Sequence, residues 1–318
     1  MHDIDDALKA QLDKLQTKYQ ATGQDMVSYL EGLYHTDFLN YWDYVHTDAL
    51  LALQIPRTNF PDEQIFIIYH QITELYFKLI LSEMKQISDN EQLTVAFMLN
   101  RVERINRYWE NLVQSFAVMV NGMDTEQFMN FRMALLPASG FQSAQYRLIE
   151  IGATDFINLV SKDHRAAMPA HASIEQMYEH IYWKAGATEL ATGKKTLTLV
   201  RFEAKYSGQF VSEGKNYLAK NLRKRYQSLP ADDEKMPALH LALRAFDTFV
   251  NVNWPLAHLR SAGRYLHKNP EVIAATGGTN WQKYLPPRFQ KRIFFPELWT
   301  AQEIEEWGKN AVLEAMQG

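Results

Sequence analysis

Residues 63–87 constrain this chain more than any other stretch. Ile65, Phe66, Ile67, Ile68, Leu75, Phe77, Leu79, Ile80 and Leu81 fall in one run that contains neither proline nor glycine. Pro56 and Pro61 bracket the loop before it, and Asp62 offers a capping carboxylate. The length and spacing predict a helix, and its apolar residues lie nearly all round it. A helix of that kind belongs at the centre of a fold, with other elements packed around it.

The rest of the chain has the same period. Ile4, Leu8, Leu12 and Leu15 recur at three- and four-residue steps over residues 4–20, with charges between them. A shorter stretch at 25–33 and an aromatic one at 36–54 follow. Further helices read at about 91–120, 125–134, 141–160, 173–185, 196–227 and 235–268. Thr196–Val200 and Arg292–Phe295 are short enough for strands, although the first sits in a helical context. Loops fall at 137–140, 186–195, 228–234 and 269–281. No repeat, low-complexity tract or linker divides the chain. The expectation is an all-α fold in one domain over residues 1–318, with residues 1–40 as a peripheral N-terminal arm.

Composition removes several kinds of chemistry. The 318 residues include no cysteine, which excludes disulfides, thiolate nucleophiles, iron–sulfur clusters and c-type haem attachment. A net charge of −4 lacks the basic footprint of a nucleic-acid binder. The basic run Lys220–Arg225 is short and reads as a solvated helix face. The acidic start has no cationic-then-apolar leader, and no apolar run is long enough to span a bilayer. These features predict a soluble, cytoplasmic protein. No Gly-x-Gly-x-x-Gly, phosphate loop, His-Glu-x-x-His or Gly-x-Ser-x-Gly motif is present.

Three positions can carry chemistry. Arg132 lies among apolar residues in Phe131–Arg147, followed by the turn Pro137–Ala138–Ser139–Gly140. A guanidinium in such a setting needs an anion, and its rigid fork suits a carboxylate. That anion could be a ligand's acid group, or Glu126 or Glu150 in an internal pair. His70 shares a helical face with Phe66, Thr73 and Phe77. It reads either as a core histidine bonded to a carbonyl or as a ligand-facing one. His258, in Asn253–Arg260, could ligate a haem iron or be a buried structural histidine. Tyr41, Trp42 and Tyr44 cluster with Phe38; such aromatics serve cores, interfaces or ligand boxes.

Four blocks, in order along residues 40–300, resemble the tryptophan 2,3-dioxygenase family. They are Tyr41–Gln54, Asp62–Gln71 continuing through Glu74–Lys78, Phe131–Arg147, and Trp254–His258 through Arg264 to Thr276–Gly277–Gly278–Thr279 and Tyr284–Leu285. The Pro-Ala-Ser-Gly-Phe-Gln-Ser sequence is the most specific. The chain looks like a divergent bacterial-type member.

The resemblance implies a central helix bundle enclosing haem b, with O2 as co-substrate and an aromatic amino acid as the small-molecule partner. It implies opening of the indole ring of L-tryptophan to N-formylkynurenine. His258 would be the proximal iron ligand and Ser139 would lie at the haem edge. His70 would be the distal catalytic residue beside the indole nitrogen. Arg132 would take the carboxylate, Thr276 the amino acid end, and Phe66 and Phe128 would line the pocket. Tyr41, Tyr44 and Val45 would cap it from an adjacent subunit of a homotetramer. No nucleic acid or membrane partner is expected. Trp42, Tyr76, Pro255 and Trp281 depart from the family pattern, as does the lengthened stretch around Lys268–Glu271. Those departures leave two other readings open. One is haem-dependent mono-oxygenation of an indole or phenol amino acid, and the other is haem binding without catalysis.

Overall fold

A computed structural model describes residues 5–135, 138–188, 193–266, 287 and 291–309. It divides into two compact units, Met1–Leu53 and Gln54–Gly318.

The first unit contains α1 (Asp6–Ala21), α2 (Met26–Tyr34), α3 (Tyr41–Val45) and α4 (Thr47–Leu51). The first two start where their caps dictate. Asp5 accepts from the Leu8 amide at 2.7 Å, and Asp25 from the Ser28 amide at 2.9 Å. His46, left-handed at φ 56°, breaks α3 from α4. None of these four helices buries a residue. Tyr34, Phe38, Tyr41, Trp42, Tyr44 and Leu51 are all exposed. So much bare aromatic surface is unusual for a segment that works alone.

The second unit is built on α5 (Asp62–Ser88). Asp62 is its first residue rather than its cap. The Asp62 carboxylate instead accepts the Asp124 amide, 62 residues on, at 2.5 Å. The cap position is Pro61, and the loop before it folds onto buried Glu63. That carboxylate accepts from the amides of Arg57 (2.8 Å) and Thr58 (2.7 Å). Burial works to raise the Glu63 pKa, but these donors and the Thr58 hydroxyl hold it below the usual value.

The core face of α5 carries Tyr69, Thr73, Phe77, Ile80, Met84 and Ile87. The helix is not buried all round, however. Ile68, Ile72, Leu75 and Leu79 form an exposed stripe at steps of four, three and four.

Against α5 pack α6 (Val95–Ser115), whose buried Val95, Met98, Val102, Ile105, Trp109 and Leu112 keep a strict three–four rhythm, and α9 (Ala144–Ala153). The short α7 (Ala117–Asn121) and α8 (Thr125–Phe131) come between those two in the chain. Later come α10 (Lys162–Arg165), α11 (Ile174–Glu179), α12 (Tyr182–Gly186), α13 (Leu197–Asn216) and α14 (Leu222–Gln227). Helix α15 (Met236–Thr248) packs on α6 and runs through a π-helical turn, Phe249–Asn253, into α16 (Trp254–Leu266). The last described helix is α17 (Ala301–Glu305).

No strand forms among the described residues, where only two isolated bridges occur. Thr196 caps α13 and the next residues are helical. Residues 292–295 run without a ladder partner, and the amides of Phe294 and Phe295 are claimed by a side chain instead. The basic run at 220–225 is not a solvated face: Lys220 bonds Asp89, Arg223 bonds Asp155 and Glu297, and Arg225 bonds the carbonyls of Ile87 and Asn90. No described helix is long and apolar enough to cross a membrane.

One ring from each of four helices meets at the centre. Phe77 of α5 lies 5.5 Å from Trp109 of α6, 5.7 Å from Tyr146 of α9 and 5.9 Å from Trp254 of α16, centroid to centroid. Trp254 opens α16 one turn before His258, so this junction fixes where the α16 imidazole begins.

Candidate active site

His70 and Phe66 are one turn apart on α5, with ring centroids 4.2 Å apart. The His70 Nδ1–H donates to the Phe66 carbonyl at 2.7 Å. A carbonyl can only accept, so this bond fixes the neutral tautomer and leaves Nε2 as a bare acceptor. Burial lowers the His70 pKa, against the opposing pull of that carbonyl and of Glu74. Phe66 continues into a wall of rings, with Phe131 at 6.0 Å and Phe128 at 6.4 Å. Phe128 in turn lies 4.7 Å from Tyr265 of α16.

The small-residue turn comes to the same place. A Cβ added at Gly140 would stand 4.0 Å from His70 Nε2, so the backbone of that turn lies close to the imidazole. Ser139 caps the short 3-10 turn Gly140–Gln142, and its hydroxyl accepts from the Phe141 amide at 3.3 Å. A buried ionic group lies behind it. Arg147 donates to the Phe141 carbonyl (3.4 Å) and to Glu150 (3.0 Å), and Arg292 also pairs with Glu150. Tyr182 donates to Glu150 at 2.5 Å. Glu150, one of the two acids that could have met Arg132, is therefore held by Arg147, Arg292 and Tyr182.

Arg132 begins a 3-10 turn, Arg132–Leu135, directly after α8. It is 5% exposed, and its Nη1 approaches the Met129 sulfur at 3.9 Å. Burial lowers its pKa, which is the signature of a cation held in poorly solvating surroundings. Phe128, one turn earlier, puts the aromatic wall on the face that Arg132 extends.

His258 mirrors His70. Its Nδ1–H donates to the Trp254 carbonyl at 2.9 Å, and the Trp254 and Phe116 rings flank it, each at 4.6 Å. Burial pulls its pKa down to about 4, the carbonyl partly opposes this, and the nearness of His70 lowers it further. The two imidazoles are thus close enough for a charge on one to oppose a charge on the other. His258 is neutral at ordinary pH, with its Nε2 lone pair free of any proton. That is the form and orientation in which an imidazole binds a metal. The donor set suits haem: one half-buried neutral imidazole, a second nearby, aromatic walls and no thiolate. Among the described residues no group of three or more His, Asp or Glu could hold a bare metal ion.

The π turn explains how Pro255 is tolerated. The Trp254 amide bonds to the Phe249 carbonyl, five residues back. Pro255 would be next to donate, to Val250, but it has no N–H. The Tyr146 hydroxyl donates to the Val250 carbonyl instead, at 3.1 Å. Pro255 is the second residue of α16, and it is tolerated there because Tyr146 meets the carbonyl that its missing N–H would have bonded.

The structure thus brings His70, Phe66, Phe128 and the Ser139–Gly140 turn together, with His258 near His70 and Arg132 one turn after Phe128. Tyr41, Tyr44 and Val45 lie exposed on α3 of the first unit. Thr276 lies outside the described residues, as do Gly277, Gly278 and Trp281. Sequence reasoning missed Phe116, Tyr146, Asp247 and Tyr265. Each sits in an ordinary helical pattern, and only the fold gives it a neighbour of interest.

Comparison with known proteins points one way. A family model described as tryptophan 2,3-dioxygenase matches residues 33–165. A protein of Ruegeria sp. named tryptophan 2,3-dioxygenase is 30% identical over 272 residues, covering 83% of this chain and 92% of the relative. One of the same name from Geobacillus thermodenitrificans is 29% identical over 285 residues, covering 85% and 95%. Another, from Pseudomonas fluorescens, is 27% identical over 277 residues, covering 82% and 89%.

Proposed function

The chain belongs to the tryptophan 2,3-dioxygenase family, and from that premise we propose that it opens the indole ring of L-tryptophan with O2, giving N-formylkynurenine. The observation that carries the reading is His258: half-buried, neutral, its Nδ1–H tied to Trp254, its Nε2 lone pair free, and a second imidazole near enough to lower its pKa. His258 would hold haem b through iron, with Ser139 beside the haem edge. The haem, when bound, supplies the oxygen chemistry that no side chain here can provide.

The protein's own part is recognition and positioning. Arg132 meets the substrate carboxylate with a bidentate, charge-assisted pair, strengthened by its poorly solvated surroundings. Thr276 takes the amino acid end. Phe66 and Phe128 pack on the indole faces and keep water away. His70 accepts the indole N–H at its bare Nε2, which sets the ring's rotation. It cannot donate from that atom while neutral, so it serves as an orienting acceptor. Gly140 leaves room for the substrate beside the imidazole. Fixing the ring at both its polar ends accounts for much of the rate such a site can give.

The proposal includes one catalytic domain with an N-terminal arm and a cytoplasmic homotetramer, in which Tyr41, Tyr44 and Val45 of a neighbouring subunit cap the recess. The exposed stripe Ile68, Ile72, Leu75 and Leu79 supports association, because its spacing is that of a helix-packing seam. Leu75→Glu should shift the mass measured by light scattering below that of a tetramer.

The test of function is an absorption spectrum of the reduced protein with and without L-tryptophan, followed by product mass. A histidine-ligated ferrous spectrum that changes with tryptophan, and a product heavier by two oxygen atoms, are expected. Gain of a single oxygen, or no turnover of any indole by the haem-loaded protein, overturns the reading.

A further inference from the structure

The joint between α15 and α16 is bound more tightly than its surroundings require. Two side chains converge on the π turn that launches His258. The first is Tyr146 of α9, whose hydroxyl fills the place of the N–H that Pro255 lacks, at the Val250 carbonyl. The second is Asp247, the penultimate residue of α15 and 0% exposed. Its carboxylate accepts from the Asn251 side chain inside the π turn at 2.7 Å. It also accepts from the amides of Phe294 (3.0 Å) and Phe295 (3.2 Å) and from the Trp299 indole (3.1 Å). The segment held in this way is the one that backs α16. Ile293 and Trp307 pack with Val252 and Leu256, and Leu259 lies against them. One carboxylate therefore fixes both the turn before His258 and the strap behind its helix.

Stability alone does not explain this arrangement. Burial pushes the Asp247 pKa up to about 6 despite its donors, so the buried anion is a net cost to the fold. A cost of that sort, kept at one joint, fits a demand for geometry.

We infer that Tyr146 and Asp247 are positioning residues for His258, which set the rotation of α16 through the π turn and so the direction in which Nε2 points. The inference rests on the proposed role of His258 as the haem ligand.

The test uses the full chain, haem titration and the ferrous spectrum. Tyr146→Phe should weaken haem affinity on the order of tenfold and shift the ferrous Soret band, with the helical circular dichroism unchanged. Asp247→Asn should act in the same direction and more strongly. Phe210→Leu, in the remote α13 core, should lower the melting temperature and leave the spectrum alone. The decisive variant is Pro255→Ala, which restores the missing N–H. In that background Tyr146→Phe should cost little, because the Val250 carbonyl has its backbone donor again. Equal cost in both backgrounds overturns the inference, as does a wild-type spectrum in Tyr146→Phe. If Asp247→Asn does not fold, the Tyr146–Pro255 cycle decides alone. His258→Ala runs alongside: retention of a histidine-ligated haem there sinks the ligand assignment, whereas its loss together with an uncoupled cycle sinks only the positioning roles.

Discussion

His70 and His258 each donate Nδ1–H to the carbonyl four residues back, at 2.7 and 2.9 Å, and each presents a bare Nε2. Their supports differ. His70 rides on the 27-residue α5, an unbroken helix whose regular turns fix the ring without outside help. His258 follows a π turn and a proline, and the carbonyl that the proline leaves must be met by Tyr146 from another helix. The α5 side is therefore set by local sequence, the α16 side by tertiary contacts. The two sides also face different tasks. On the proposed reading, the residues around His70 grip a guest that comes and goes, while those around His258 hold one group in one orientation.

If that division of labour is right, variants on the two sides should fail differently. The largest effect is expected for His258→Ala, which should lose nearly all bound haem by absorbance at unchanged helical content. Next comes Asp247. Its folded pKa of about 6 lies above the usual 3.8, so the folded state holds the extra proton between those values. The stability this proton contributes is fully present below about pH 4 and is lost as pH rises through 6, an amplitude of about 3 kcal/mol. Denaturant titrations of wild type and Asp247→Asn across that window should show the wild-type advantage shrinking as pH rises; a constant difference would mean that the carboxyl titrates normally. On the other side, Arg132→Met should raise KM about 100-fold, the loss of one charge-assisted pair, with haem content intact. An unchanged KM would remove Arg132 from substrate binding.

The asymmetry also governs what the sequence could reveal. The helices were legible because Tyr69, Thr73, Phe77 and Ile80, or Val102, Ile105, Trp109 and Leu112, repeat at the period of the backbone itself. His70 and Phe66 were legible as a pair for the same reason. Periodicity could not show that α5 leaves Ile68, Ile72, Leu75 and Leu79 uncovered, since an apolar stripe reads alike whether a neighbour covers it or not. It could not show the π turn either, because Phe249–Asn253 differs from an α-helix by one hydrogen-bond step and no residue type demands it. Pro255 marked the disturbance but not its repair, which lies 109 positions away at Tyr146. Asp247 looked like an ordinary polar residue inside the helix expected over 235–268 until residues 294–299 folded back onto it.

The smallest predicted effect tests the comparison most finely. His70→Phe keeps a ring beside Phe66 and removes both ring nitrogens, the Nε2 acceptor among them. The Phe66 carbonyl loses the Nδ1–H donor but keeps its own helical bond, and α5 does not depend on this side chain for its path. Haem content and KM should therefore stay near wild type, because Arg132 and the ring wall still bind the guest. What is lost is one neutral hydrogen bond that fixes the indole's rotation, so kcat should fall about tenfold. A methylated indole nitrogen, which has no proton to offer, should show little further loss in this variant while slowing the wild type. If haem content fell instead, the α5 imidazole would be supporting the bound group as well as the guest, and the two sides would not be separable.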